Sequence, residues 1–151
     1  MNTLKFSPIK KADLPVLMPI ENACHSHPWS EKTFTSCIGG RYFGELAAPT
    51  DKQDDIIGFY VGEYVLGEAT LMDICVVPSE QGKGLGNVFL KHFVQTAKTL
   101  GAQKIWLEVR ASNISALMMY INHGFIETGR RTGYYPKEIG YEDAIVMCKT
   151  C

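Results

Sequence analysis

The stretch Val76-Val77-Pro78-Ser79-Glu80-Gln81-Gly82-Lys83-Gly84-Leu85-Gly86-Asn87 decides how this chain folds. It ends a mostly apolar run, 68–77, that has the character of a strand, and Pro78 interrupts that run. The glycines leave the backbone of the following turn free of side chains. The apolar periodicity after the turn predicts a helix over 85–100 with Gly101 as its C-cap. We therefore expect a strand, a glycine-rich turn and a helix in immediate succession.

A glycine-rich turn at the start of a helix favours an anion. The N-terminus of a helix carries about half a positive charge, and its bare amides can approach a phosphate closely. The dinucleotide fingerprint G-x-G-x-x-G does not fit, because Asn87 stands where its third glycine would be. The Walker loop does not fit either, because Gly84 follows Lys83 in place of serine or threonine. A helix entry without a ligand remains the alternative, but the preceding strand, the proline and Gln81 favour a pyrophosphate site.

Composition limits the classes of protein that the chain can belong to. Its 151 residues, 46% hydrophobic and 21% charged, are typical of one globular domain, here 1–151. The net charge of −1 argues against direct binding of nucleic acid, which favours a basic surface. The sequence shows no signal peptide and no run long enough to span a membrane, so we expect a cytoplasmic protein without membrane contact.

Cysteine and histidine spacing gives no reason to predict a metal site. The five cysteines include no C-x-x-C pair, which favours reduced thiols. His25 and His27 lie in a turn, without a third residue at metal-binding spacing. We therefore expect no bound metal. Cys75 is interpreted as a small core residue rather than a nucleophile, because no histidine is placed in the sequence as its partner.

The remaining periodicities predict a mixed α/β sheet with helices on both faces. Strands are expected over 3–9, 41–46, 56–64, 68–77, 103–110, 125–130 and 143–149. Helices are expected over 14–24, 31–38, 85–100 and 113–123, and loops over 47–55 and 132–141.

The run Gln81-Gly82-Lys83-Gly84-Leu85-Gly86 resembles the Q/R-x-x-G-x-G/A loop of the GNAT acetyltransferases, in which it holds the pyrophosphate of coenzyme A. The order of elements is also that of the GNAT fold, whose sheet is mixed and mostly antiparallel. Further segments are similar, in the same order, to bacterial GNAT enzymes that acetylate the N-terminal alanine of a small-subunit ribosomal protein: 27–34, 68–71, 106–113, 134–136 and 142–144.

This resemblance implies acetyl-CoA as co-substrate, transfer in a ternary complex without a metal, and a protein N-terminus, that of a ribosomal protein, as acceptor. It also implies two further contacts to coenzyme A. The strand residues before Pro78 would pair with the pantetheine arm through their backbone, and Asn113 would contact coenzyme A while capping the next helix. The implied cofactor-binding residues are Ile74, Cys75, Val76, Gly82, Lys83, Gly84, Leu85, Gly86, Asn87 and Asn113.

Two residues are candidates for acid–base chemistry. From the pattern alone, Glu108 is a surface carboxylate paired with Arg110 or Lys104, or a partly desolvated base on the same strand face as Trp106. From the pattern alone, Tyr120 is a core tyrosine with a satisfied hydroxyl. The resemblance assigns Glu108 as the base that deprotonates the acceptor amine and Tyr120 as the acid that protonates the leaving thiolate.

Two other functions remain open. A GNAT enzyme for a small amine, or for other protein N-termini, would share the coenzyme A loop. A non-catalytic acyl-CoA-sensing module would keep the loop yet have no use for Glu108 and Tyr120.

Overall fold

A computed structural model describes residues 3–137 and 139–151, and its strands form one seven-stranded sheet in the order β1-β2-β3-β4-β5-β7-β6. The strands are β1 Leu4–Pro8, β2 Tyr42–Pro49, β3 Gly58–Val65, β4 Glu68–Val76, β5 Lys104–Arg110, β6 Ile126–Pro136 and β7 Tyr141–Thr150. The helices are α1 Leu14–Cys24, α2 Glu31–Ser36, α3 Leu85–Leu100 and α4 Ile114–Asn122. Neighbouring strands are antiparallel except β4 and β5, which are parallel. The mixed, mostly antiparallel α/β sheet predicted from the sequence is confirmed.

Helices cover both faces of this sheet, and each face has its own core. Phe89 and Phe93 of α3 are fully buried against one face, together with Ile105 of β5. Leu17 of α1 and Phe34 of α2 are fully buried against the other. The spacing of apolar residues along α3 places them on one side of the helix, and this side packs against the sheet.

The contact between β4 and β5 is short, and this creates the main opening in the fold. The two strands pair only from Glu68 with Lys104 to Thr70 with Trp106. Beyond Thr70 they separate, so the rest of β4 keeps a free edge on the side of β5. Unpaired backbone groups at such an edge can bind an extended ligand as an added strand would.

A bulge in β4 changes which face its side chains reach. Val61 pairs with Asp73 and Gly62 pairs with Leu71, so β4 has one extra residue between them. Leu71, before the bulge, packs in the core beneath α3, whereas Cys75, after it, packs in the core beneath α1. The bulge therefore turns Asp73 and Cys75 toward α1.

The predicted boundaries were wrong in three places, and two of these errors have the same cause. β2 continues to Pro49 instead of ending at 46, because Ala47 pairs with Phe6 of β1 and Gly58 of β3. Most of the loop predicted over 132–141 belongs to β6 and β7. The helix predicted over 31–38 ends at Ser36. Pairing with strands that are distant in the sequence sets the first two boundaries. The strand propensity of the local residues does not contain this information.

Among the described residues, no helix is both long enough and apolar enough to cross a membrane.

Candidate active site

The gap between β4 and β5 opens into a cleft of about 850 Å³. One end of the cleft is the glycine-rich turn with the first residues of α3 and α4, and the other end is formed by the end of α1 and by the β6–β7 hairpin. Nearly all the site residues predicted from the sequence line it: Ile74, Cys75, Val76, Gly82, Gly84, Leu85, Gly86, Asn87, Glu108, Asn113 and Tyr120. Lys83 does not line the cleft, because its ammonium group turns to Glu80 at 2.9 Å.

The glycine-rich turn needs glycine for its backbone conformation rather than for space. Gly82 and Gly84 both have φ of +80°, a left-handed conformation that other residues adopt only with strain. A Cβ at either position would have no neighbour within 4 Å. The turn is tied to the end of β4 by the Gln81 side chain, whose Nε2 donates to the Val76 carbonyl oxygen at 2.8 Å.

The same turn presents unused hydrogen-bond donors. Within the described part of the chain, the backbone amides of Gly82, Lys83 and Gly84 donate to no protein acceptor. They precede the first turn of α3, whose dipole adds a partial positive charge at this point. Successive free amides at a helix N-terminus suit an anion such as a pyrophosphate.

Polar side chains fix the helices on either side of this end of the cleft. Asn113 caps α4, since its Oδ1 accepts a hydrogen bond from the Ala116 amide at 3.2 Å. Asn87, in the first turn of α3, lies 2.9 Å from His123 Nε2 at the end of α4. The second contact holds the start of α3 to the end of α4.

Glu108 lies on the separated part of β5, on the face that also carries Trp106. Its Oε1 accepts a hydrogen bond from Arg131 Nε at 2.7 Å. The pairing of Glu108 with Arg110 or Lys104 that was considered from the sequence was therefore wrong. Glu108 pairs with Arg131, and Arg110 pairs with Glu142 at 3.1 Å. The Glu108 side chain is 27% exposed, so solvent and an incoming amine can both reach it.

Tyr120 reaches the cleft from α4, on the opposite face of the sheet from Glu108. Its ring is buried and packs edge-on against Phe125 at 6.0 Å. Burial, and then the charges of Asp73 and Tyr135, raise the pKa of Tyr120 well above its usual range, so the hydroxyl stays protonated at neutral pH. The hydroxyl partner expected for a core tyrosine is not found among the described residues. A protonated hydroxyl that no described residue engages is available to a ligand.

The far end of the cleft is built by the β6–β7 hairpin. Arg110 Nη1 donates to the Pro136 carbonyl oxygen at 2.7 Å, and its guanidinium lies 4.6 Å from the centre of the Tyr135 ring. Glu142 holds this arginine and also accepts from the Ser112 amide at 3.1 Å. The contacts with Ser112 and Arg110 lower the pKa of Glu142. Tyr135 and Pro136 are thereby fixed at the mouth of the cleft, and burial raises the pKa of Tyr135 to about 12.

A buried polar cluster on the wall formed by α1 was not predicted. His25 Nε2 lies 2.8 Å from Asp73 Oδ1 and 3.2 Å from Cys75 Sγ. Glu21, 1% exposed, completes the group, and burial followed by Asp73 raises the pKa of Glu21 to about 8. Its signal in the sequence is weak: two residues four apart at the end of a helix and two residues two apart on a strand, with 48 positions between His25 and Asp73.

The expectation that Cys75 has no histidine partner was therefore wrong. The β4 bulge, which the sequence does not reveal, turns its side chain toward His25. The contact with Cys24, together with burial, raises the pKa of the Cys75 thiol. A buried thiol that keeps its proton is a poor nucleophile, so the proximity of His25 does not make Cys75 a catalytic cysteine.

A parallel pair of strands that separate beside a glycine-rich helix N-terminus, with acid–base side chains across the gap, is the architecture of an acyl-CoA-dependent acetyltransferase. Residues 14–125 match the acetyltransferase (GNAT) family, and the chain belongs to that family. It is an N-acetyltransferase, as the resemblance in its sequence predicted.

The relatives of the chain include N-acetyltransferases that share one acceptor. The chain is 43% identical to the [ribosomal protein bS18]-alanine N-acetyltransferase of Salmonella typhimurium and 42% identical to that of Escherichia coli K12, in each case over 97% of this chain and 96% of the relative. The crystal structure of the ribosomal-protein-S18-alanine N-acetyltransferase from Escherichia coli superposes with a TM-score of 0.91 at 40% identity, covering 98% of this chain and 94% of that one. The predicted GNAT fold is confirmed.

Proposed function

We propose that this enzyme transfers the acetyl group of acetyl-CoA to the N-terminal alanine of the bacterial ribosomal protein bS18, in the cytoplasm. The observation that carries this proposal is the identity of 42–43% with enzymes of that specificity over nearly the full length of both chains. The cleft supports it, because one continuous opening joins an anion site, a free strand edge and a group of acid–base side chains.

Coenzyme A occupies the end of the cleft beside α3. The amides of Gly82 to Asn87 bind the pyrophosphate, and the free edge of β4 at Ile74 to Val76 pairs with the amide groups of the pantetheine arm. Asn113, at the start of α4, contacts the cofactor from the opposite side. The thioester then lies in the gap between β4 and β5, near Glu108 and Tyr120.

The reaction is a direct attack of the acceptor amine on the thioester carbonyl. An N-terminal amine has a pKa near 7.7–8.0, so a carboxylate suffices to remove its proton as the nitrogen attacks. Glu108 takes this proton, directly or through a water, and Arg131 holds its carboxylate in place. As the carbon–sulfur bond breaks, Tyr120 gives its proton to the coenzyme A thiolate. The products are an acetylated N-terminus and free coenzyme A.

The acceptor enters from the end of the cleft that α1 and the β6–β7 hairpin form. Aromatic side chains, Trp29 and Tyr135, line this end, and Arg110 keeps the hairpin in position. An extended chain terminus enters here with its α-amine leading toward Glu108.

Acetylation of a peptide panel tests the specificity. We expect a hexapeptide that begins with the bS18 sequence to be acetylated on its α-amine, with loss of activity when alanine is replaced by a bulky first residue. Spermidine and an α-blocked peptide containing lysine serve as controls. Preferred turnover of spermidine, or acetylation confined to lysine side chains, would contradict the proposal and favour a small-amine or lysine acetyltransferase.

A further inference from the structure

The polar cluster beneath α1 has no part in the acetyl-transfer scheme, although it is buried and forms one wall of the cleft. We propose that Glu21, His25, Asp73 and Cys75 form a four-ligand site for a divalent cation of the zinc class. Each residue offers one ligand atom, and these four atoms all lie within 4.8 Å of one another.

The secondary structure explains how four distant residues meet at one point. Glu21 lies in the last turn of α1 and His25 caps the C-terminal end of that helix, and their side chains meet there, with Nε2 of His25 3.7 Å from Oε1 of Glu21. Asp73 and Cys75 are two residues apart on β4, so their side chains share one face of the strand. The bulge before Asp73 selects the face that meets α1. The C-terminal end of one helix and one strand therefore each contribute two ligands.

The separations between the ligand atoms match tetrahedral coordination. Zinc bonds of about 2.0–2.3 Å place two ligand atoms about 3.4–3.6 Å apart at the tetrahedral angle. Cys75 Sγ lies 3.6 Å from Glu21 Oε1 and 3.7 Å from Asp73 Oδ1. His25 Nε2 lies 3.7 Å from Glu21 Oε1 and 3.2 Å from Cys75 Sγ. The shortest separation, 2.8 Å between His25 Nε2 and Asp73 Oδ1, is a hydrogen bond that an ion would replace.

An independent observation at Asp73 also points to a ligand. Its side chain is 4% exposed, and Oδ2 is the one buried side-chain nitrogen or oxygen atom of the described residues without a hydrogen-bond partner. Burying a carboxylate oxygen without a partner is costly, because no protein group replaces the water that it loses. A cation bound by both oxygens of the Asp73 carboxylate would satisfy Oδ2.

The surroundings of the cluster already orient its members. Glu21 Oε2 accepts a hydrogen bond from the Trp29 amide at 2.8 Å, which leaves Oε1 directed at the other three residues. Such outer contacts are what fixes ligand geometry in metal sites. The His25 side chain is 38% exposed and lines the cleft, so an ion has a path of entry.

The donor set selects the class of ion. One sulfur, one imidazole nitrogen and two carboxylate oxygens suit zinc and similar transition ions, whereas magnesium and calcium require oxygen ligands only. A bound ion would fasten the end of α1 to β4 next to the gap. It would leave the strand edge free for the pantetheine arm, because the Cys75 side chain points to α1 while its backbone lies at that edge.

Metal titration of the intact enzyme tests this site. Protein stripped with a chelator and kept in reductant would be titrated with zinc against a chromophoric competitor, and with cobalt followed by absorbance. We expect one ion per chain, with the strong visible bands of tetrahedral cobalt and a charge-transfer band from a cysteine thiolate. Cys75→Ala should abolish that band, whereas the matched control Cys151→Ala, at an exposed thiol, should keep it.

Thermal unfolding gives a second reading that does not depend on the thiolate band. Zinc should raise the Tm of the wild type and of Cys151→Ala, and should leave that of Asp73→Asn unchanged. If Cys75→Ala does not fold, the comparison of Asp73→Asn with Cys151→Ala decides. Substoichiometric zinc binding, a charge-transfer band that persists in Cys75→Ala, or an equal rise in Tm for Asp73→Asn would overturn the proposal.

Discussion

Glu108 and Tyr120 line the same cleft, but their side chains lie in different environments. Glu108 is partly exposed and ion-paired with Arg131, so its carboxylate is accessible to an amine. Tyr120 is buried, and its raised pKa keeps the hydroxyl protonated. The two environments suit a proton acceptor and a proton donor respectively, and this difference underlies the roles proposed for them.

Removing the basicity of Glu108 should slow turnover. Glu108→Gln keeps the size and polarity of the side chain, and we expect kcat to fall by about 10²–10⁴-fold, the usual contribution of a general base. Affinity for acetyl-CoA, measured by calorimetry, should change little, because Glu108 is assigned to the amine. Glu127→Gln, at an exposed carboxylate on β6, is the matched control. Wild-type turnover of Glu108→Gln from pH 6 to pH 9 would place the base elsewhere.

Removing the Tyr120 hydroxyl should act mainly on kcat. Tyr120→Phe keeps the ring contact with Phe125, so stability should be preserved while departure of the thiolate loses its proton donor. An acetyl donor with a more acidic thiol needs less protonation and should partly rescue the variant. Tyr141→Phe, at an exposed tyrosine, is the control. If Tyr120→Phe and the wild type respond equally to the acidity of the thiol, Tyr120 has no part in leaving-group protonation.

At the scale of elements, the start of α3 and the separation of β4 from β5 create the site. The β4–β5 pairing ends at Thr70, β4 itself ends six residues later at Val76, and the glycine turn that begins at Gly82 follows. The turn supplies amides for an anion, and the strand edge supplies amides and carbonyls for an extended ligand. The site therefore depends on backbone geometry more than on any one side chain.

A substitution in the turn tests this dependence. Gly84→Val forces a branched residue to a φ of +80°, at a cost of about 1–3 kcal/mol or a rearranged loop. We expect affinity for acetyl-CoA, measured by calorimetry, to fall at least about 10-fold. Gly67→Val, at a φ of +84° in the β3–β4 hairpin and with equally open surroundings, is the matched control for strain. Equal affinities for the two variants would remove the turn from the coenzyme A site.

The sequence predicted the elements better than it predicted their contacts. The glycine turn, α3 with its Gly101 cap and the Asn113 cap follow from local patterns, and each lies where it was expected. The partner of Glu108 was missed because β6 was expected to end at 130, one residue before Arg131. The cluster beneath α1 was missed because it depends on a bulge in β4 and on two elements far apart in the chain. Contacts between residues far apart in the sequence determine the Glu108 pair and the cluster. No short segment of the sequence therefore predicts them.

At the scale of the whole molecule, the buried cluster makes stability depend on pH. The folded-state pKa of Glu21 is raised from its ordinary value of 4.5 to about 8, so the folded protein holds a proton that the unfolded chain releases. The contribution of Glu21 to stability is therefore fully present below about pH 4.5 and is lost as pH rises toward 8. The raised pKa of His25 acts in the same direction.

Neutralising Glu21 should flatten this dependence. Glu21→Gln cannot release a proton, so between pH 5 and pH 8 the free energy of unfolding of the metal-free wild type should fall more steeply than that of the variant. Urea unfolding at a series of pH values measures both slopes. Glu31→Gln, at an exposed carboxylate in α2, is the control and should follow the wild type. Parallel slopes for wild type and Glu21→Gln would show that Glu21 is already ionised in the folded protein.

The proposed reaction is the acetylation of one α-amine, that of the N-terminal alanine of bS18. The most direct measurement uses intact, unacetylated bS18 with acetyl-CoA, followed by intact mass and by tandem mass spectrometry of the N-terminal peptide. We expect one acetyl group per bS18 molecule, on the alanine α-amine, and its near absence with Glu108→Gln. Acetyl groups found only on lysine side chains, or an unmodified bS18 when a small amine is turned over in the same mixture, would contradict it.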